Sequence, residues 1–188
     1  MATGKRLLAL YGTEQGHTAQ IAAFVGAVAR EAGWEADVLC GKDVPADFSL
    51  QPYAAALIAA SVHDRRYEAC VRDFVRAHRD ALRALPCAFL SASLAGIGPK
   101  LLVERLAAAF YRETGWQPDV SLSVGGALLY RQYKPVQRQL MRLGSGLFGG
   151  PTDTSRDHDL TDWSAVRRFT RRFLGAPAEP APPRPARG

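Results

Sequence analysis

Cysteine is scarce in this sequence, and long apolar runs are missing from it. The three cysteines, Cys40, Cys70 and Cys87, are odd in number and widely spaced. That excludes a paired disulfide framework and a CxxC zinc or redox pattern, and it makes a reducing cytoplasm the expected compartment. The longest apolar run, Tyr53–Ala60, falls far below the roughly 18–20 residues a bilayer-crossing helix needs, so no span is expected. The opening Met-Ala-Thr-Gly-Lys-Arg leads straight toward a strand, without the charged segment, apolar run and cleavage site of a secretory signal. Lysine is rare beside arginine, yet basic groups exceed acidic ones and the formal charge is +6. Such a surface attracts phosphate-rich partners, whether anionic lipid, nucleic acid or an acidic substrate; compositional drift toward arginine accounts for it equally well.

What is present is an alternation. Lys5–Tyr11 reads as a short, buried strand, and Ile21, Phe24, Val25, Val28 and Ala32 then recur at helical spacing until Gly33. Trp34–Cys40, Tyr53–Ser61, Cys87–Ser91 and Val120–Val124 read as four further strands. Between them, a stripe from Tyr67 through Phe74 and His78 to Leu85 predicts one helix ending before Pro86, and Pro99 opens another through Leu106 and Phe110. A last helix is expected over 162–174, with Thr161 as its N-cap. Strands alternating with helices imply a parallel sheet covered on both faces. The expected fold class is α/β: a three-layer sandwich whose five-stranded parallel sheet has the order 2-1-3-4-5, with ligands at the carboxyl ends of the strands. A single domain is expected over 1–175, followed by a disordered Pro- and Ala-rich tail over 176–188.

The loop after the first strand carries the chemistry. "YGTEQGHT" sets Gly12, Thr13, Gly16 and Thr18 at a strand-to-helix turn. A helix N-terminus offers unpaired N–H donors and partial positive charge, hydroxyls add hydrogen bonds, and glycine lets backbone approach an anion. The frame is neither Walker A, since no Lys precedes the final Thr, nor GxGxxG. An ordinary N-cap with turn glycines uses the same residue types. This stretch resembles the first loop of the flavodoxin family, (S/T)-x-T-G-x-T, which wraps the phosphate of FMN. The resemblance implies FMN as cofactor, with Thr13, Glu14, Gln15, Gly16, His17 and Thr18 around its phosphate.

Within that family the chain is similar to the menaquinone-dependent protoporphyrinogen IX dehydrogenases over most of 5–174. The residues that carry this are "IAASVHDRRYEACVRDFVRAH", "LPCAFLSASL", "GWQPDVSLSVGGALLY", "GGPTDT" and "TDW". The resemblance implies an FMN-dependent oxidoreductase of haem biosynthesis, taking protoporphyrinogen IX as reductant and a quinone as acceptor, with no nucleic-acid partner. It implies that Ser61, Val62, His63, Asp64 and Arg65, together with Ser91, Ala92, Ser93 and Leu94, lie along the flavin edge. His63 or Tyr67 could cover a ring face, although Tyr67 also begins an apolar helix stripe. Arg65 and Arg66 are either solvated or placed to favour reduced flavin. Where the family commonly has an Arg-Tyr-Gly-His-type loop, this chain has His63-Asp64-Arg65-Arg66. An electron carrier without its own substrate is the alternative, though such carriers are usually acidic, and a flavin-free regulatory domain is a third possibility.

The family's insertion after the fifth strand corresponds here to "LLYRQYKPVQRQLMRLGSGLF". Val136, Leu140, Leu143 and Leu147 share one helical stripe, and Arg131, Lys134, Arg138 and Arg142 fall opposite. A helix lying on the cytoplasmic face of an anionic membrane has this pattern, as does one packed on its own domain with a solvated basic face. Arg131 and Lys134 are also candidates for pairing with the substrate's propionates. The acidic group Asp153, Asp157, His158, Asp159 and Asp162 matches no EF-hand, and no metal is expected.

Overall fold

The computed structural model describes residues 4–13, 16–63, 66–93, 100–128, 130–131, 135–147 and 150–177. In chain order its elements are β1 (Arg6–Gly12), α1 (His17–Glu31), β2 (Glu35–Cys40), β3 (Ala55–His63), β4 (Arg66–Tyr67), α2 (Ala69–Ala77) and α3 (Arg79–Arg83). Then follow β5 (Cys87–Ser93), α4 (Lys100–Thr114), β6 (Val120–Gly125), β7 (Ala127–Leu128), α5 (Pro135–Leu147), β8 (His158–Asp159) and α6 (Trp163–Phe173).

Leu7–Leu10 are wholly buried because β1 lies inside a parallel sheet ordered β2-β1-β3-β5-β6. Alternate residues serve opposite faces. Leu8, Leu10, Ala56, Ile58 and Phe89 pack with Val71, Phe74, Leu82 and Phe110 of α2, α3 and α4. Leu7, Ala9, Leu57, Ala59 and Leu90 pack with Ile21, Val25 and Val166 of α1 and α6. Each fully buried Leu or Ile contributes about 1.5–3 kcal/mol, so helices must cover both faces. The three-layer α/β architecture expected from the sequence is the one found, and the strand order is 2-1-3-4-5 once the short β4 is set aside.

Several boundaries differ from expectation, each for a local reason. The third strand begins two residues late, because the Tyr53 N–H closes a turn to the Leu50 carbonyl. It also runs on to His63, because β4 folds back antiparallel and pairs Val62 with Tyr67. The helix expected from Tyr67 to Leu85 is instead α2 and α3, with His78 between them, its ring 4.5 Å from that of Phe74. The apolar stripe survives the break, so periodicity alone does not show it. Pro99 lies outside the described residues, as does 178–188. The insertion after the parallel strands holds β7, α5 and β8, and β7 and β8 form a separate two-stranded ribbon.

Candidate functional site

The carboxyl ends of β1, β3 and β5 lie side by side, with Gly12 paired to Ala60 and Ser61 to Ala92. From them the chain turns to opposite faces: β1 leads to α1, and β3 leads through β4 to α2. That divergence makes the crevice where ligands bind in open α/β sheets.

At the first loop, Gly16 takes a left-handed φ of 84° as the N-cap of α1. Among the described residues no side chain caps the helix there, and its first turn carries no acidic residue. Its leading N–H groups therefore face outward without an intrahelical acceptor, at the positive end of the dipole. The Thr13 hydroxyl accepts from the Gly16 N–H at 2.9 Å and fixes the turn. Thr18 is only 1% exposed in the first turn. Glu14 and Gln15 lie outside the described residues. This arrangement suits a phosphate or another compact anion.

The neighbouring loops are bound into the protein more tightly than the sequence indicates. The Ser61 hydroxyl donates to Glu68 Oε1 at 3.0 Å, and Glu68 is buried at the start of α2. The Ser91 and Tyr67 hydroxyls are 2.9 Å apart and buried. Tyr67 is core: its ring meets those of Phe89 and Phe110 edge-on at 5.1 Å, and burial pushes its hydroxyl pKa up to about 12. That places Tyr67 away from the role of a ring cover. Glu68 was not a sequence candidate. Ser93 differs from the other two serines, because its buried hydroxyl has no hydrogen-bond partner among the described residues at the carboxyl end of β5. A bound group with a polar edge would satisfy it. Val62 is half-buried, Ala92 is buried and Arg66 is exposed. Asp64, Arg65 and Leu94 lie outside the described residues, and of His63 only the backbone is described.

A further layer reaches the first loop from the far end of the chain. His17 Nε2 lies 2.7 Å from Thr161 Oγ1, which lies 2.9 Å from the Gly125 carbonyl. Burial lowers the His17 pKa, against the opposing pull of Asp159. Burial works to raise the Asp159 pKa, but donation from the Thr161 N–H and the Trp163 indole outweighs it and the net shift is downward. Thr161 is thus not the cap of α6; Asp162 is, accepting from the Ala165 N–H at 2.8 Å. The rest of the acidic group is similarly engaged: Asp153 accepts from Ser155 and Arg156, and Asp157 from the Arg131 N–H.

In α5, Val136 and Leu143 are 83% and 67% exposed on one stripe. Arg142, about 100° round the helix from Leu143, is exposed, whereas Arg138 is half-buried and Arg131 precedes α5, so the basic face expected opposite the apolar stripe is only partly formed. Arg131 is exposed, with Nε 3.4 Å from the Ser155 carbonyl. Lys134 lies outside the described residues, and nothing is described of the Leu140 and Leu147 side chains. No helix among the described residues is long and apolar enough to cross a membrane.

A family model described as a flavodoxin domain matches residues 8–155. The chain is 30% identical to protoporphyrinogen IX dehydrogenase (quinone) of Escherichia coli strain K12, over 88% of this chain and 93% of the relative. It is 32% identical to the Leishmania major protein of the same name, over 96% of this chain and 79% of that one. In three dimensions it resembles oxidised flavodoxin 1 from Bacillus cereus, with a TM-score of 0.54 and 16% identity over 93% of this chain and all of that one. At that identity the likeness speaks to the fold.

Proposed function

The chain belongs to the flavodoxin domain family, and from that premise we propose that it is an FMN-dependent oxidoreductase that oxidises protoporphyrinogen IX to protoporphyrin IX with a quinone as acceptor. The observation that carries this reading is the uncapped start of α1, an anion cradle at the switch point of the sheet, in a chain 30% identical to a dehydrogenase of that name over 93% of the relative's length. Thr13, Gly16 and Thr18, with the intervening Glu14 and Gln15, would hold the phosphate. The Ser61–Arg65 and Ser91–Leu94 loops would border the ring system, with the Ser93 hydroxyl as a hydrogen-bonding group for its polar edge.

FMN would supply the redox chemistry. The chain's task is then to position and to tune. The Ser61–Glu68 and Ser91–Tyr67 hydrogen bonds hold the two loops to α2 and β4, and the exposed Arg66 adds positive charge at the rim. Removing hydrogen from a porphyrinogen needs no strong acid or base from the chain, because the flavin would take up the reducing equivalents. The exposed Arg131, whose Nε lies 3.4 Å from the Ser155 carbonyl, would meet a propionate through its terminal nitrogens. A bacterial strain that lacks protoporphyrinogen oxidation and grows only with added haem is expected to lose that requirement when it expresses this chain. Continued dependence on haem, with the protein abundant in the extract, overturns the reading.

Peripheral contact with a membrane is part of the same reading, because a quinone acceptor lies in the bilayer. Supporting it are the exposed Val136 and Leu143 on one stripe of α5 and the exposed Arg142 flanking that stripe. The protein is expected to sediment with phosphatidylglycerol vesicles and not with neutral ones, and to be released as salt approaches ~0.5 M and the Debye length shrinks to a few ångström. Leu143→Asp with Arg142→Glu should abolish sedimentation while FMN stays bound. Unchanged sedimentation of that variant would mean that α5 is not the contact.

A further inference from the structure

Thr161 lies far along the chain from the phosphate loop, yet its hydroxyl stands between that loop and the sheet. The Gly125 carbonyl can only accept, so the Thr161 hydroxyl donates to it at 2.9 Å. The hydroxyl must then accept from His17 Nε2–H at 2.7 Å, which fixes the tautomer of a neutral His17 ring. His17 is the first residue of α1, next to Thr18, at the helix end that carries no side-chain cap.

The segment bearing Thr161 is held on several sides. Asp159 accepts from the Thr161 N–H at 2.9 Å and, through its other oxygen, from the Trp163 indole at 2.7 Å. The Trp163 ring stands edge-on to Phe24 of α1 at 5.1 Å and to His17 at 6.1 Å. The Leu160 N–H donates to the Gly126 carbonyl at 3.2 Å. A Cβ on Gly125 would overlap the Leu160 carbonyl, so the strap lies flat on the end of β6. Its own helix makes no demand on the Thr161 hydroxyl, because Asp162 caps α6. The side chain is therefore committed to His17 and Gly125.

We infer that Thr161 is a positioning residue for the cofactor phosphate: the strap over 159–163 holds His17, and through it the first turn of α1, at a fixed place on the sheet. The inference rests on the FMN reading above. It differs from a general packing role in one respect, which is that it concerns the phosphate end of the ligand and not the ring end. Riboflavin has the ring and ribityl chain of FMN without the phosphate, so comparing the two ligands isolates that end.

The test is a pair of dissociation constants, for FMN and riboflavin, measured by flavin fluorescence on the full chain stripped of bound flavin. In Thr161→Val, which keeps the shape and loses the hydroxyl, the buried acceptor on Gly125 and the donor on His17 lose their partner. FMN affinity is expected to fall roughly five- to tenfold, with riboflavin affinity unchanged. Thr161→Ser, which restores the hydroxyl, should return FMN affinity to that of the parent protein. Equal FMN affinity in Thr161→Val and the parent, or an equal loss of FMN and riboflavin, overturns the inference and leaves the FMN reading standing. A parent protein that binds riboflavin as tightly as FMN, or neither, overturns the phosphate-site reading itself.

Discussion

Removing the hydroxyl of Thr18 is expected to weaken FMN binding ten- to a hundredfold, and Thr13→Ala is expected to do the same. A hydrogen bond to a charged group contributes about 1.5–3 kcal/mol, which corresponds to that range. The two changes act differently. The Thr13 hydroxyl holds the Gly16 N–H at 2.9 Å, so its loss also releases the turn that gives Gly16 its left-handed conformation. Thr18 is buried in the first turn of α1, where alanine would remove a packed methyl as well as the hydroxyl. Thr18→Val keeps the branched shape and removes only the hydrogen bond, so it is the cleaner variant. Titration of FMN fluorescence measures both, and retained affinity in both would mean that the phosphate is held elsewhere.

Most of the layout was legible because its signals are local. The apolar runs of β1, β3 and β5 and the stripe of α1 each lie within one short window, and a parallel sheet follows from their alternation. The first loop was legible as a candidate anion site for the same reason, since Thr13, Gly16 and Thr18 stand within a few residues of one another. What escaped were features made by distant pairs or by backbone breaks. β4 is two residues long and exists only because Val62 and His63 pair with it. The division of α2 from α3 at His78 is hidden because Leu82 continues the stripe of Val71, Phe74 and Val75, and periodicity reports side-chain direction and not backbone hydrogen bonding. Tyr67 was readable as core or as ring cover, and the packing of Phe89 and Phe110 around it decides for core.

Thr161 shows the same limit most clearly. A threonine before a helix reads as an N-cap. The structure gives the cap to Asp162 and turns Thr161 toward His17 and Gly125, contacts no local window contains. Glu68 was missed for a related reason: its tie to Ser61 depends on α2 starting directly beneath the end of β3. The basic stripe of the insertion was visible in sequence, but not that Arg138 would be half-buried while Val136 and Leu143 stood exposed.

The central claim is that this chain, with FMN, carries reducing equivalents from a porphyrinogen to a quinone, and the largest effect expected of it is turnover that needs both. Protoporphyrinogen IX is non-fluorescent and protoporphyrin IX is fluorescent, so formation of product can be followed directly under nitrogen, where air does not compete. With FMN-loaded protein and excess menadione, fluorescence is expected to rise until the porphyrinogen is consumed, and quinone to disappear in step with it. Without quinone the yield should stop near about a third of the amount of flavin present, since each porphyrinogen gives up six electrons, each flavin takes two, and the flavin has nowhere to discharge. A rate equal to that of the protein-free control, in a sample shown by its absorbance to hold FMN, would contradict the account.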